Sequence, residues 1–224
     1  METQALIFDM DGTMIDSMPW HAKAWVEFTR RHRISIDVAD LLRRTTGRTG
    51  AECMRELFQR ELPQAQCQAL IDEKEAIYRE LFAPRFTEVA GFRRFAALAR
   101  QQGLKIGVGT AGDRHNIAFA FSHLSMQPRP QAVVGGDEGL PGKPEPAIFL
   151  EAARRLQTSA AACIVFEDAP LGIEAARRAG MRAVAVCTSH SAQELAGSHV
   201  VASVRDYNEL LNSNFLGSHH VATA

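Results

Sequence analysis

The stretch Ala5-Leu6-Ile7-Phe8-Asp9-Met10-Asp11-Gly12-Thr13 runs from four apolar residues straight into two carboxylates and a glycine. A short apolar run that ends in turn chemistry suits a strand buried on both faces of a parallel sheet. Alternate strand residues point the same way, so acids at i and i+2 can share one site just beyond the strand's carboxyl end. Ligand crevices of open parallel sheets form at that end. Gly12 lets the chain turn away without blocking it. The bland alternative is that Asp9 and Asp11 only cap a turn, the commonest use of an Asp-Gly pair.

Further apolar runs follow at residues 104–109, 132–134, 163–166, 183–187 and 200–204, most of them closed by Gly, Asp, Thr or Ser. Between them lie stretches of helical periodicity at 91–102, 114–124, 145–157 and 171–179. This alternation predicts an α/β fold with a doubly wound parallel sheet. Residues 17–86 break the pattern: they are helix-rich, hold no convincing strand, and separate the first two strands by far more than an ordinary connection. They read as an inserted all-helical domain, with breaks near Ser35, at Thr46-Gly47-Arg48-Thr49-Gly50 and at Pro63. The expected organisation is an α/β unit of residues 1–16 and 87–212, a helical insertion of 17–86, and an aperiodic, flexible tail of 213–224.

A chain of 224 residues with 46% hydrophobic content can bury a sizeable core. Lys and Arg total 25 against 26 Asp and Glu, which leaves no field to gather nucleic acid or an anionic membrane. A phosphate-bearing ligand must therefore be held by a local site. Cys53, Cys67, Cys163 and Cys187 form no CxxC pair and no zinc-type spacing, and read as free thiols of a reducing cytoplasm. No leader-like or membrane-spanning run is evident. His115, His123, His190 and the pair His219-His220 show no metal-site spacing.

Three more features fall at the ends of later strands. Thr110, Ala111 and Gly112 offer a hydroxyl and backbone amides at a helix entrance, either an anion cradle or a plain N-cap. Lys143, in Gly142-Lys143-Pro144-Glu145-Pro146, precedes a helix start marked by proline; a lysine there either neutralises phosphate or is simply solvated. Glu167 and Asp168 supply two more acids, either a helix cap or hard oxygen ligands for Mg²⁺. The order of these features, acid pair, Thr, Lys, acid pair, each at a strand end, argues for one shared site.

In these four motifs the chain resembles the haloacid dehalogenase superfamily over nearly its whole length, to about Leu211. The helical insertion resembles the cap of the subgroup that holds β-phosphoglucomutase and small sugar-phosphate phosphatases. The resemblance implies a Mg²⁺-dependent phosphatase of small phosphorylated metabolites. Asp9 would be the nucleophile, and Asp11 the general acid and base that meets the metal through its backbone carbonyl. Asp168 would complete the metal site, with Glu167 ordering a coordinated water. Thr110, Ala111, Gly112 and Lys143 would hold the phosphoryl oxygens. The second acid, Asp11, separates the chain from the true dehalogenases.

In the cap, the resemblance marks His21, with Trp25 nearby, as a hinge residue, Lys74 as a substrate lysine, and Gly47-Arg48-Thr49-Gly50 as a specificity loop. The plain alternative for His21 is a surface histidine on an amphipathic helix, and for Lys74 an ordinary solvated lysine. The mutase's phosphate-gripping arginine would fall two positions after Arg48, a departure that favours hydrolysis over mutase activity. The stretches 108–112 and 165–169 look closer to fructose-1-phosphate-type phosphatases. The implied protein is a cytoplasmic monomer or weak homo-oligomer that binds neither nucleic acid nor membrane. A phosphomutase is the alternative, and a non-catalytic binding protein with a dead site the third reading.

Overall fold

The computed structural model describes residues 2–219. Six strands, β1 (Ala5–Phe8), β2 (Lys105–Gly109), β3 (Ala132–Val134), β4 (Cys163–Glu167), β5 (Arg182–Val186) and β6 (Val200–Val204), form one sheet in the order β3-β2-β1-β4-β5-β6. Every pairing is parallel. The connections lead from β1 outward to β2 and β3, then return to β4 on the other side of β1. The reversal places a crevice at the carboxyl end of β1, where the acid pair stands.

Alternation along β1 explains why the strand is apolar throughout. Leu6 and Phe8 face a layer with Phe92, Phe95, Phe166 and Tyr207, whereas Ala5 and Ile7 face Ile148, Phe149 and Val165. Helices α5 (Phe92–Gln101), α6 (Arg114–Leu124) and α9 (Tyr207–Asn212) supply the first layer. The second comes from α7 (Ala147–Arg155) and α8 (Pro170–Arg178). Burial of both faces removes any need for polar residues along the strand.

Between β1 and α5 lie α1 (Met18–Arg31), α2 (Val38–Thr45), α3 (Gly50–Phe58) and α4 (Gln64–Phe82), which pack on one another through Trp25, Phe28, Leu41, Met54, Ile77 and Tyr78. Asp37 caps α2, and Thr49 with Glu52 forms a reciprocal capping box at the start of α3. These caps fall at the predicted breaks. No helix among the described residues is long and apolar enough to cross a membrane.

The tail departs from expectation. Residues 213–219 include a tenth helix, α10 (Phe215–His219), with Phe215 and Leu216 buried; residues 220–224 lie outside the described part. A five-residue helix is too short to show a 3.6-residue period, so its anchoring aromatic was legible only once the core existed. Phe215 lies against Phe95 and Phe166, ring centroids 6.4 Å from each. Replacing Phe215 by Ala is expected to lower unfolding stability by about 3 kcal/mol, as for other buried aromatics. A chemical denaturation curve that does not move would restore the reading of a loose tail.

Candidate active site

The core half of the site is built around one buried ammonium. Asp9 continues the β1–β4 ladder, its N–H donating to the Phe166 carbonyl at 3.0 Å. Lys143, 1% exposed, enters from the loop after β3 and stands 2.5 Å from Asp9 Oδ1 and 2.5 Å from Glu167 Oε1. The other Glu167 oxygen accepts the Ala169 N–H at 2.8 Å. Glu167 thus orients Lys143 as well as lying beside Asp168. Position 172 has to be glycine, because a Cβ there would overlap the Glu167 carboxylate. Gly12, at φ +77°, likewise leaves room for Asp168.

Asp168 accepts from the Thr13 hydroxyl at 3.3 Å through Oδ1, while its Oδ2 is buried without a partner. Three buried carboxylates therefore share one ammonium. Burial pushes the Asp9 carboxyl well up; Lys143 opposes the rise, and Glu167 and Asp168 reinforce it. Burial and Glu167 carry Asp168 up to about 8, with Ser189, Lys143 and Thr13 working against the rise. Burial works against the charge on Lys143, but Asp9 and Glu167 outweigh it and keep the ammonium protonated.

The surplus negative charge and the unpartnered Asp168 oxygen fit a hard divalent cation. Among the described residues no three His, Cys, Asp or Glu side chains close into a complete cage. Mg²⁺ does not require one, since it keeps several waters and takes one or two carboxylates plus a substrate phosphate. Asp9 and Asp168 are the side chains that could hold it.

Asp11 faces the other way, into the helical half. Its Oδ1 accepts from the Ser17 hydroxyl at 2.7 Å and the Tyr78 hydroxyl at 3.3 Å, and lies 3.1 Å from His21 Nε2. Lys74 Nζ is 2.7 Å from His21 Nδ1. An ammonium can only donate, so Nδ1 is the acceptor and Nε2–H points at Asp11. Burial would raise the Asp11 carboxyl, but the donors around it, His21 first, with Ser17 and Lys74, bring it below its ordinary value. His21 also stacks on Tyr78 with centroids 3.8 Å apart. Both histidine and lysine are buried, which removes the solvated-surface readings of His21 and Lys74.

Thr110 is buried at the end of β2, and its Oγ1 accepts the Gly112 N–H at 3.0 Å. That amide is thus turned inward, which corrects the expectation that it is free for an anion. Thr110, Ala111 and Gly112 nonetheless line the cleft with Asp9 and Asp11. Lys143 does not sit at a helix N-terminus either: α7 begins at Ala147, after the turn through Pro144 and Pro146. The two prolines in Gly142-Lys143-Pro144-Glu145-Pro146 made the start look earlier than it is. Gly47 and Arg48 border the same cleft, and the Lys143 N–H donates to the Gly47 carbonyl at 3.2 Å. Arg48 Nε is buried with no partner.

Several contributors were not legible in sequence. Ser17 occupies the N-cap position of α1 but sends its hydroxyl to Asp11. Beyond β5, the Thr188 hydroxyl donates to the Gly12 carbonyl at 2.5 Å and His190 Nδ1 lies 2.9 Å from the Asp168 carbonyl. A hydroxyl residue directly after an apolar strand was their only local signal. Cys53 also lines the cleft, but burial pushes its thiol up to about 12, which leaves it neutral and a poor nucleophile.

A family model described as haloacid dehalogenase-like hydrolase matches residues 3–180. Validoxylamine A 7'-phosphate phosphatase of Streptomyces hygroscopicus subsp. limoneus is 31% identical over 91% of the chain and 94% of its own length. The fructose-1-phosphate phosphatase of Escherichia coli is 34% identical over 81% and 95%. A solved hydrolase from Pseudomonas syringae shares the fold with a TM-score of 0.84, covering 95% of this chain and 98% of that one at 24% identity. By motif, geometry and similarity together, the chain belongs to the haloacid dehalogenase-like hydrolases.

Proposed function

We propose that this protein is a Mg²⁺-dependent phosphatase of a small sugar phosphate that carries the phosphoryl group on Asp9 and then passes it to water. The observation that carries this reading is the Lys143 ammonium clamped on Asp9 and Glu167 beside the unpartnered Asp168 oxygen, in the cleft that Thr110 lines. Such a site holds an oxygen nucleophile, a fixed cation and an open cation position together, away from water. The two curated relatives described above are named as phosphatases.

Mg²⁺, when bound by Asp9 and Asp168, supplies charge neutralisation between the carboxylates and the phosphoryl oxygens. Lys143, the Thr110 hydroxyl and the Ala111 amide orient those oxygens and draw off their charge. An Asp9 oxygen attacks phosphorus as the ester P–O bond breaks, and the leaving oxygen takes a proton from Asp11. Water then attacks the aspartyl-phosphate, gives its proton to Asp11, and releases phosphate and free Asp9.

Asp11 must hold a proton for the first step, yet His21, Ser17 and Lys74 favour its charged form. A phosphate dianion arriving beside it favours the protonated form. Substrate binding thus arms the acid, and phosphoryl transfer restores the base.

Assay of inorganic phosphate from a panel of sugar phosphates with Mg²⁺ should show turnover that Asp9→Asn lowers by more than about a thousandfold. Isomer formed without phosphate would identify a phosphomutase, and silence across the panel would sink the reading. A second test needs no substrate. In metal-free buffer at neutral pH Asp168→Asn should unfold at least about 2–4 °C higher than wild type, because the buried acid has to take up a proton on folding, a cost of roughly 1 kcal/mol or more that an amide does not bear. Mg²⁺ should raise the wild-type midpoint and leave that of Asp168→Asn unmoved; an equal response in both would remove Asp168 from the metal site.

A further inference from the structure

Glu75 has no part in the reaction as derived, yet it lines both the cleft that holds Asp9 and the one adjoining it. It lies on α4 next to Lys74, with a side chain only 14% exposed. Its Oε1 accepts from Lys74 Nζ at 2.9 Å, and its Oε2 from Asn116 Nδ2 at 2.7 Å. Asn116 belongs to α6 and also accepts from Arg79 at 2.7 Å. The carboxylate is therefore held in place from both the helical insertion and the sheet domain. A carboxylate has about four lone-pair positions, so two remain for a ligand.

Two adjoining clefts meet at this residue. The inner one holds Asp9, Asp11, Thr110, Arg48 and Lys74. The outer one shares Glu75, Gly50, Ile71 and Ala111 with it and opens past α3 and the loop after β3. The charged residues of the outer cleft are Glu61, Glu75, Asp113 and Asp137 against Arg55, and Arg55 is itself paired with Glu61 at 2.7 Å. The positive charges, Lys143 on Asp9, Arg48, and the Lys74 that pairs with Glu75, lie on the inner side, and the other charges of the mouth are mostly acidic.

We propose that Glu75, at the head of this acidic mouth, is a specificity-determining residue. It accepts hydrogen bonds from hydroxyls of the leaving group and rejects leaving groups that carry a second negative charge. The proposal rests on the phosphatase reading and narrows its substrate class to monophosphates of neutral, polyhydroxylated molecules. Phosphorylated sugar acids and bisphosphates fall outside it. The physical basis is twofold. A carboxylate with lone pairs to spare in a poorly hydrated cleft favours ligands that bring a matching hydroxyl. A like charge placed against it in a poorly hydrated cleft is repelled far more strongly than in water.

Glucitol 6-phosphate and gluconate 6-phosphate test this directly, since they differ only in a terminal hydroxymethyl against a carboxylate. With the full chain and Mg²⁺, kcat/KM for the alditol should exceed that for the aldonate by at least about tenfold. Glu75→Gln keeps the shape and the Asn116 contact but loses the charge, so it should shrink that ratio at least severalfold, chiefly by improving the aldonate. Salt should shrink the wild-type ratio as well, because part of the mouth is solvated. Should Glu75→Gln fail to fold, Asp137→Asn, at the exposed end of the same mouth, should move the ratio in the same direction.

A wild type that hydrolyses phosphate esters but shows no preference, or a preference unaltered by both substitutions, overturns the proposal while the phosphatase reading stands. Absence of turnover on every ester overturns both.

Discussion

The Lys143 ammonium, sealed between Asp9 and Glu167 at 2.5 Å from each, is the interaction on which the rest of the site depends. Taking an ammonium out of water costs several kcal/mol, and only close carboxylates with good geometry offset that. The arrangement ties together three segments far apart in sequence: the end of β1, the loop after β3 and the end of β4. The same loop gives its Lys143 N–H to Gly47 of the helical insertion, so one turn of chain braces the floor of the site and meets the loop that closes over it. One ammonium cannot balance Asp9, Glu167 and Asp168 together. The proposed metal, and through it the proposed binding of phosphate, rests on the charge that remains.

Asp9 and Asp11 show how two identical side chains two residues apart acquire different chemistry. The strand end presents both to one cleft, but Asp9 meets Glu167 and Asp168 whereas Asp11 meets His21, Ser17 and Tyr78. Burial, reinforced by like charge, raises one carboxyl, and donors lower the other. Pairs of acids whose surroundings push them apart in this way can divide nucleophilic and proton-transfer work between them. The partners of Asp11 come from the insertion, so its proton affinity depends on how α1 and α4 lie over the sheet. The bridge from Glu75 through Asn116 to Arg79 adds a polar contact between α4 and α6 at the same boundary. The roles proposed for Glu75 in specificity and Asp11 in proton transfer therefore share one structural joint.

The strands and core helices were legible because their signals are local. Ala5–Phe8, Ala132–Val134, Val200–Val204 and Arg114–Leu124 emerge from apolar runs and periodicity with the bounds that the sequence suggested. The acid pair, Thr110, Lys143 and the Glu167-Asp168 pair were legible because each follows such a run. Less was visible where one residue type serves two ends: Ser17 looks like a helix cap but bonds Asp11, and Gly112 looks like an open amide but bonds Thr110. Two prolines hid the true start of α7, and a short helix after residue 213 gave no period to detect.

By itself the sequence determined the α/β alternation, the place of the helical insertion and the chemical inventory at each strand end. Those are properties of neighbouring residues, expressed in side-chain spacing and hydrophobicity. Only the tertiary structure decided which acid is crowded and which is solvated by donors, that Lys74 reaches Asp11 through His21, and that Glu75 heads an acidic mouth. Each of these depends on burial and on partners from distant segments, because the strength of a charge interaction is set by separation in space and by exclusion of water, neither of which a linear chain contains.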